Sequence, residues 1–203
     1  MIPDIGGMRP LFEELIADLA ATYGWAVAAF EPFPGQDLPT IEDRFAAVPG
    51  LSDERLIGDA VAAADLLKER AGVDRVAVIG FCMGGMYTYK VAATGRFDRA
   101  VPFYGMIRLP SAWIGPEQRE PLECLASSST CPILSVIGGK DPYTPPDDVA
   151  ALEPFAHRLT KAFYPEAEHG FVHDASRPSH RAEDAADAWK RVASFLATDP
   201  SGG

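Results

Sequence analysis

The chain has 203 residues, with 18 basic and 29 acidic side chains that give a net charge of −11. This length suits one domain with a substantial core, and the negative charge disfavours binding to nucleic-acid phosphates. No apolar run approaches the ~18 residues that span a bilayer, and no basic segment precedes an apolar one at the start, so neither a membrane span nor a secretory signal is expected.

Segments with helical and strand-like patterns alternate along the chain. Its first part predicts a helix over 10–23, a strand over 25–30, a proline-rich loop over 32–49 and a helix between Ser52 and Gly72. Next come a strand over 75–79, a helix over 84–93, a strand over 99–103 and an irregular region over 106–130. The last predicted elements are a strand over 133–137, a helix over 147–159, a strand over 161–164 and a helix over 178–196.

The strand-like segments are short and apolar, as in WAVAAF over 25–30. Such runs are typical of parallel strands that are buried on both faces. Because helices separate the strands, the sequence predicts an α/β fold, a mostly parallel sheet with helices on both faces. Residues 1–203 are expected to form a single domain, with residues 198–203 as a disordered tail.

One motif stands out chemically, the segment GFCMGG over 80–85. It follows the apolar run VAVI and opens a predicted helix, which is the arrangement of a nucleophile elbow with Cys82 in the place of serine. The N-terminus of that helix would favour the thiolate form of Cys82. The alternative interpretation is a buried cysteine in a glycine-rich packing turn.

Two later residues complete a catalytic pattern. Asp141 follows the predicted strand over 133–137, and His169 follows the predicted strand over 161–164. The carboxyl ends of parallel strands meet at one edge of a sheet, so both residues are expected near Cys82. The order nucleophile, acid, histidine is that of an α/β hydrolase. In such a triad the histidine transfers protons and the acid orients the histidine. Taken singly, Asp141 would be a turn residue and His169 a loop residue.

The motifs GFCMGG, GGKDPYTP and AEHGF resemble those of the dienelactone hydrolase family of α/β hydrolases, and the resemblance runs over about residues 4–196. It implies the α/β-hydrolase fold and a triad of Cys82, Asp141 and His169. Relatives carry two antiparallel strands and most of a third ahead of the position of Asp4. Those N-terminal strands are therefore missing here, or the true start lies upstream.

The resemblance also implies roles around the nucleophile. Asp4 stands where the family has a glutamate that interacts with the thiol and helps govern its protonation. The alternative for Asp4 is a solvated acid near a chain end. The backbone N–H groups of Ile5 and Met83 would form the oxyanion hole.

Three residues are candidates for substrate binding by the same resemblance. Tyr104 lies in the loop FYG after the strand that follows the nucleophile helix. His173 stands where relatives that cleave dienelactone carry an arginine for the substrate carboxylate, and Arg44 is the nearest match to a second such arginine. The alternative for Arg44 is a surface charge, since Glu42 and Asp43 precede it.

These observations predict a hydrolase of small carboxylic esters or lactones that works through an acyl-thioester and needs no cofactor or metal. Three cysteines without metal-ligand spacing favour a cytoplasmic location over a disulfide framework. One alternative is a non-enzymatic interaction protein whose site is incomplete and whose exposed sheet edge recruits another chain. Another is a thiol redox protein, although Cys82 has no Cys-x-x-Cys partner. The oligomeric state stays open.

Overall fold

Four parallel strands form the sheet of the computed structural model, which describes residues 1–198. The strands lie side by side in chain order and are β1 (Ala77–Phe81), β2 (Arg99–Phe103), β3 (Ile133–Gly138) and β4 (Leu159–Tyr164). Each pairs in parallel with the next, and Phe81 of β1 lies beside Phe103 of β2. The carboxyl ends of all four strands therefore meet at one edge of the sheet.

Seven helices accompany the strands in residues 1–198. They are α1 (Pro10–Tyr23), α2 (Ile41–Ala47), α3 (Asp53–Ala71), α4 (Met83–Ala92), α5 (Pro121–Leu125), α6 (Pro146–Ala150) and α7 (Ala182–Ala197). Short 3₁₀ turns occupy Val48–Gly50, Ser111–Trp113 and Glu153–Phe155.

The sheet separates two apolar layers. Leu56 of α3 and Met86 of α4 belong to one layer, while Phe12 of α1 and Val192 of α7 belong to the other. Strand β1 contributes Val78 to the first layer and its neighbour Ile79 to the second, because successive side chains of a strand point to opposite faces. The predicted parallel sheet with helices on both faces is confirmed.

Local sequence signals predicted the ends of several helices correctly. Helix α1 has the predicted bounds, begins at Pro10 and ends before Gly24, whose backbone is left-handed with φ 69°. Helix α3 is capped by the Ser52 side chain, which accepts a hydrogen bond from the backbone N–H of Arg55, and Gly72 ends it with φ 64°. These ends depend on residues within one turn of the helix, which is why the sequence alone predicts them.

The predicted strand over 25–30 is wrong. The segment belongs to none of the four strands, and its residues are half-buried or exposed. A strand forms only beside another extended segment that can pair with its backbone. The segment next to residues 25–30 is residues 1–2, which is too short to pair with the whole run. The Met1 ammonium donates to the Ala28 carbonyl at 2.6 Å, while Ile2 forms an isolated bridge with Gly80. The remaining backbone groups of the run have no ladder to join.

Other boundaries are corrected as well. The predicted loop over 32–49 contains α2, and a reciprocal capping box between Thr40 and Asp43 starts this helix. The irregular region over 106–130 contains α5. The predicted helix over 147–159 is shorter in the structure: it consists of α6 and a 3₁₀ turn at Pro154, because proline lacks the N–H that a continuing helix needs. The last helix begins at residue 182 rather than 178. Of the predicted tail, residues 199–203 lie outside the described residues.

Candidate active site

Cys82 occupies a strained turn between β1 and α4. Its backbone has φ 54° and ψ −117°, a conformation that L-residues rarely adopt. The turn is held by a hydrogen bond from the Cys82 N–H to the Phe103 carbonyl at 3.0 Å. A Cβ at Gly80 would overlap the Gly84 carbonyl, and one at Gly84 would overlap the Ile2 carbonyl, so both positions require glycine. The predicted elbow geometry is present.

The three thiols have different surroundings. Cys82 is half-buried, whereas Cys124 and Cys131 are buried. Burial raises the pKa of the Cys131 thiol to about 12 and also raises the pKa of Cys124. Because the thiolate is the reactive form, the two buried thiols are poor nucleophiles.

His169 and Asp141 form a close pair in the loops after β4 and β3. Nδ1 of His169 lies 2.8 Å from Oδ2 of Asp141, and Oδ1 of Asp141 accepts the N–H of Tyr143 at 2.8 Å. Nε2 of His169 is buried and has no hydrogen-bond partner among residues 1–198. The imidazole therefore has one nitrogen oriented by the acid and the other available for a reaction.

Cys82 and His169 line the same cavity. Burial by itself lowers the pKa of His169, but its hydrogen bond to Asp141 and the neighbouring Cys82 outweigh burial and raise that pKa from 6.5 to about 10. The structure thus brings the three residues of the predicted triad together.

The two predicted oxyanion donors are both available. The bridge between Ile2 and Gly80 places the following loop beside the elbow, and the Gly7 N–H closes that loop by donating to the Asp4 carbonyl at 2.9 Å. Within residues 1–198 the Ile5 N–H donates no hydrogen bond. Met83 is the first residue of α4, so its N–H has no acceptor in the preceding turn.

Asp4 is buried and fully engaged. Arg9 donates to both of its oxygens at 2.6 and 2.9 Å, and Nε2 of His173 lies 3.0 Å from Oδ2. Burial alone raises the pKa of Asp4, but His173 and Arg9 hold that pKa well below its usual range. Asp4 and Cys82 line the same cavity, but no hydrogen bond joins these two side chains. The solvated alternative for Asp4 is therefore wrong.

The structure places Tyr104 and His173 beneath the cavity rather than at its surface. Tyr104 is fully buried, and its hydroxyl is hydrogen-bonded to Nδ1 of His173. Both nitrogens of His173 are thus occupied, and its side chain is 1% exposed. Neither side chain has a polar group left for a substrate, contrary to the sequence expectation, because each satisfies the other's buried hydrogen-bonding capacity.

Arg44 lies to one side of the cavity. Its guanidinium is 3.5 Å from a carboxylate oxygen of Glu31 and lies over the Phe33 ring at 5.5 Å. From the same helix, Ile41 and Phe45 do line the cavity. The helix therefore contributes apolar side chains to the site, while the arginine pairs with an acid outside it.

The cavity at Cys82 measures about 200 Å³. Ile41, Phe45, Met106 and Trp113 give it apolar walls, and Arg177 is its one arginine among the described residues. Arg177 lies 3.5 Å from Asp4 and 3.3 Å from Asp174, so its charge is shared with two carboxylates. Sequence reasoning missed Arg177, because it lies in an aperiodic loop eight positions after His169 and no local signal marks it.

A larger cavity, of about 330 Å³, lies at the opposite end of the strands, beside Trp25 and Ala77. It contains none of the predicted catalytic residues, whereas a third cavity, of about 520 Å³, is lined by His169 and Arg177. Within residues 1–198, no three His, Cys, Asp or Glu side chains are grouped to hold a metal ion. No helix in that range has the length and apolar character needed to cross a membrane.

Comparisons with known proteins point to one family. The model of the dienelactone hydrolase family matches residues 1–199. A relative from Saccharolobus solfataricus, provisionally named a carboxymethylenebutenolidase, is 34% identical over 71% of this chain. The alignment covers 52% of that relative, so the chain spans about half of its length. A second relative, from Bradyrhizobium, is provisionally named a 2-oxo-3-(5-oxofuran-2-ylidene)propanoate lactonase. It is 30% identical over 97% of this chain and 81% of its own.

Among solved structures, a protein from Klebsiella pneumoniae that is provisionally named a dienelactone hydrolase superposes with a TM-score of 0.82. The match covers 98% of this chain and 85% of that one, at 24% identity. At this identity the likeness shows the fold alone, and it confirms the predicted α/β-hydrolase fold.

Proposed function

Because the chain belongs to the dienelactone hydrolase family, we propose that it hydrolyses small carboxylic esters or lactones through a triad of Cys82, His169 and Asp141. One observation carries the proposal. His169 is hydrogen-bonded to Asp141 at 2.8 Å, its other nitrogen is buried and has no hydrogen-bond partner among residues 1–198, and its ring lines the cavity of the strained Cys82. A nucleophile, a base and a group that orients the base are the parts of acyl-transfer catalysis.

In the acylation half, Nε2 of His169 holds the proton that the Cys82 thiol gives up, and Sγ attacks the carbonyl carbon. The electron pair of the carbonyl moves to its oxygen, and the N–H groups of Ile5 and Met83 donate to that oxyanion. The intermediate collapses when the carbon–oxygen ester bond breaks and His169 protonates the leaving alkoxide. In a lactone the alkoxide stays attached to the acyl group.

In the deacylation half, a water molecule gives a proton to Nε2 of His169, and its oxygen attacks the thioester carbonyl. The same two N–H groups stabilise the second oxyanion. The carbon–sulfur bond then breaks, the sulfur regains a proton from His169, and a carboxylic acid leaves. Asp141 stabilises the imidazolium at both stages without accepting its proton.

The cavity supports small, mainly apolar acyl groups. Its one arginine, Arg177, is already paired with Asp4 and Asp174. The whole chain carries a charge of −11, which repels anions at long range. Neutral or weakly charged esters are therefore expected to react better than anionic lactones such as those in the names of the relatives. The three free cysteines favour a cytoplasmic location.

The test is hydrolysis of a neutral p-nitrophenyl ester by the wild type, by Cys82→Ala and by Cys124→Ala as a matched control. We expect Cys82→Ala to lose activity at least about a thousandfold, because a lone nucleophile carries most of the rate. The control removes a buried thiol and should keep most of the activity. Equal activity of Cys82→Ala and the wild type would reject the mechanism.

One observation favours a second candidate, an interaction protein. Residues 25–30 form an apolar run that belongs to no strand in the part of the chain that the structure describes. An apolar segment with unpaired backbone groups can recruit another chain. The ester assay separates the two candidates, because an interaction protein has no turnover that depends on Cys82.

A further inference from the structure

His173 is buried where three segments of the site meet. It follows His169 by four residues, Tyr104 follows β2, and Asp4 lies in the loop before α1. The imidazole stacks on the rings of Phe12 and Tyr104, with centroids 5.5 and 5.6 Å away. Its environment leaves it no access to substrate, so any contribution to the reaction has to act through its neighbours.

The hydrogen bonds define the protonation of the ring. Asp4 is ionised and only accepts, so Nε2 of His173 carries the hydrogen that it donates over 3.0 Å. Burial lowers the pKa of His173, and the nearby Arg9 and Arg177 act in the same direction against the attraction of Asp4. The ring is therefore neutral, and its Nδ1 accepts the hydroxyl hydrogen of Tyr104.

Each end of this chain of hydrogen bonds lies next to a group with a proposed role in catalysis. At one end, Oδ1 of Asp4 also accepts the Gly6 N–H at 2.8 Å. That bond sets the turn on either side of Ile5, whose N–H is a proposed oxyanion donor. At the other end, the ring of Tyr104 meets the His169 ring edge-on at 5.2 Å. Tyr104 also has a left-handed backbone, with φ 38°, which the surrounding structure must hold in place.

We propose that His173 is a positioning residue that fixes the oxyanion-hole loop against the catalytic histidine, by donating to Asp4 and accepting from Tyr104. The inference rests on the proposed esterase function. The donor to Asp4 matters most, because Asp4 is adjacent to Ile5. An oxyanion donor acts mainly in the transition state, so a displaced loop lowers kcat while leaving KM little changed.

Two amide variants separate the two bonds. The His173→Gln amide reaches the position of Nε2 and can still donate to Asp4. The His173→Asn amide reaches only the position of Nδ1, next to Tyr104. We expect His173→Asn to lower kcat for a neutral p-nitrophenyl ester by about 10- to 100-fold, less than or comparable to the loss of one oxyanion donor. We expect His173→Gln to keep at least a third of wild-type kcat, about a threefold loss.

A second readout excludes a general collapse of the site. Alkylation of Cys82 by iodoacetamide needs the thiolate but forms no oxyanion. We expect its rate in both variants to stay within about twofold of the wild type. Equal losses of kcat in the two variants would overturn the proposal. So would unchanged kcat in His173→Asn, or an alkylation rate that falls in parallel with kcat.

If His173→Asn does not fold, Tyr104→Phe decides, because it removes only a hydroxyl. We expect a several-fold lower kcat with unchanged KM, and an unchanged kcat would overturn the proposal. Failure of the proposed function is distinguishable from failure of this inference. In the first case Cys82→Ala hydrolyses the ester as fast as the wild type. In the second, turnover depends on Cys82 but responds alike to both His173 variants.

Discussion

Two close pairs of a carboxylate and a basic side chain have different surroundings in this protein. Asp141 and His169 lie at the carboxyl edge of the sheet, 2.8 Å apart. Asp53 and Lys90 join the start of α3 to the end of α4, 2.7 Å apart, and the Lys90 side chain is fully buried. The two pairs are alike in distance and charge, although the His169 side chain is 15% exposed and the Lys90 side chain is not exposed.

The two pairs differ in whether a polar atom of the pair remains without a hydrogen-bond partner. The second oxygen of Asp53 accepts the Arg119 N–H at 2.8 Å, and Lys90 also lies over the Tyr87 ring. The polar groups of that pair, called the closed pair below, are thus occupied by protein partners, and the pair holds three segments of the chain together. Nε2 of His169 has no partner among residues 1–198 and faces a strained cysteine. Distance and charge therefore do not single out the proposed catalytic pair, whereas a ring nitrogen without a hydrogen-bond partner beside a nucleophile does.

The largest effect is expected from breaking the proposed catalytic pair. His169→Ala should lower kcat/KM by about a thousandfold or more, and Asp141→Asn by a similar factor, because the acid acts through the histidine. The double variant should be little worse than either single one. Steady-state hydrolysis of a neutral ester measures all three, and circular dichroism checks that they fold. Modest losses that multiply in the double variant would contradict a coupled triad.

Because Nε2 of His169 is available beside Cys82, Cys82 should also be the most reactive of the three thiols. At neutral pH, iodoacetamide should modify Cys82 at least about a hundredfold faster than Cys124 or Cys131, whose thiols burial keeps protonated. Peptide mapping over a time course gives the three rates. Faster modification of Cys131 than of Cys82 would contradict the assignment of the elbow.

Breaking the closed pair should affect stability rather than chemistry. Lys90→Met leaves the Asp53 charge buried without its partner and should lower the free energy of unfolding by about 3–5 kcal/mol. The double variant Lys90→Met with Asp53→Leu should recover much of that loss. Urea denaturation measures the stability, and kcat per folded molecule should be unchanged. A loss of kcat without a loss of stability would assign this pair a catalytic role.

A pH titration sharpens the contrast. The pKa of His169 is raised from 6.5 to about 10 in the folded protein. The folded state therefore binds more protons than the unfolded state between these values. The stability gained from His169 is complete below pH 6.5 and is lost as the pH rises towards about 10. The difference in unfolding free energy between wild type and His169→Asn should shrink across that window. A constant difference would contradict the raised pKa.

The smallest effect is expected at the arginine near the proposed catalytic pair. Arg177→Gln should raise KM for an anionic lactone by only about two- to threefold, because Asp4 and Asp174 share its charge, and should leave KM for a neutral ester unchanged. Arg44→Gln is the matched control and should change neither value, because Arg44 pairs with Glu31 away from the cavity. Equal effects of the two variants would contradict the placement of Arg177 as the cation of the site.

How far the sequence predicts this protein depends on how local each signal is. Glycines at 80 and 84, the helix that opens after Cys82 and the apolar runs before Asp141 and His169 are all readable within a few residues. They were sufficient for the parallel sheet and for the placement of the three predicted catalytic residues at its carboxyl edge. Apolarity alone could not establish the strand at 25–30, because a strand is formed by its neighbour as much as by its own residues.

The sequence by itself therefore determined the alternating elements, the elbow and the order of nucleophile, acid and histidine. Only the tertiary structure decided that His173 and Tyr104 are buried connectors and that Arg177 is the cation at the cavity. The physical reason is separation along the chain. His173 meets Asp4 across 169 positions and Tyr104 across 69. Such contacts depend on how whole elements pack, and no local pattern of residues encodes them.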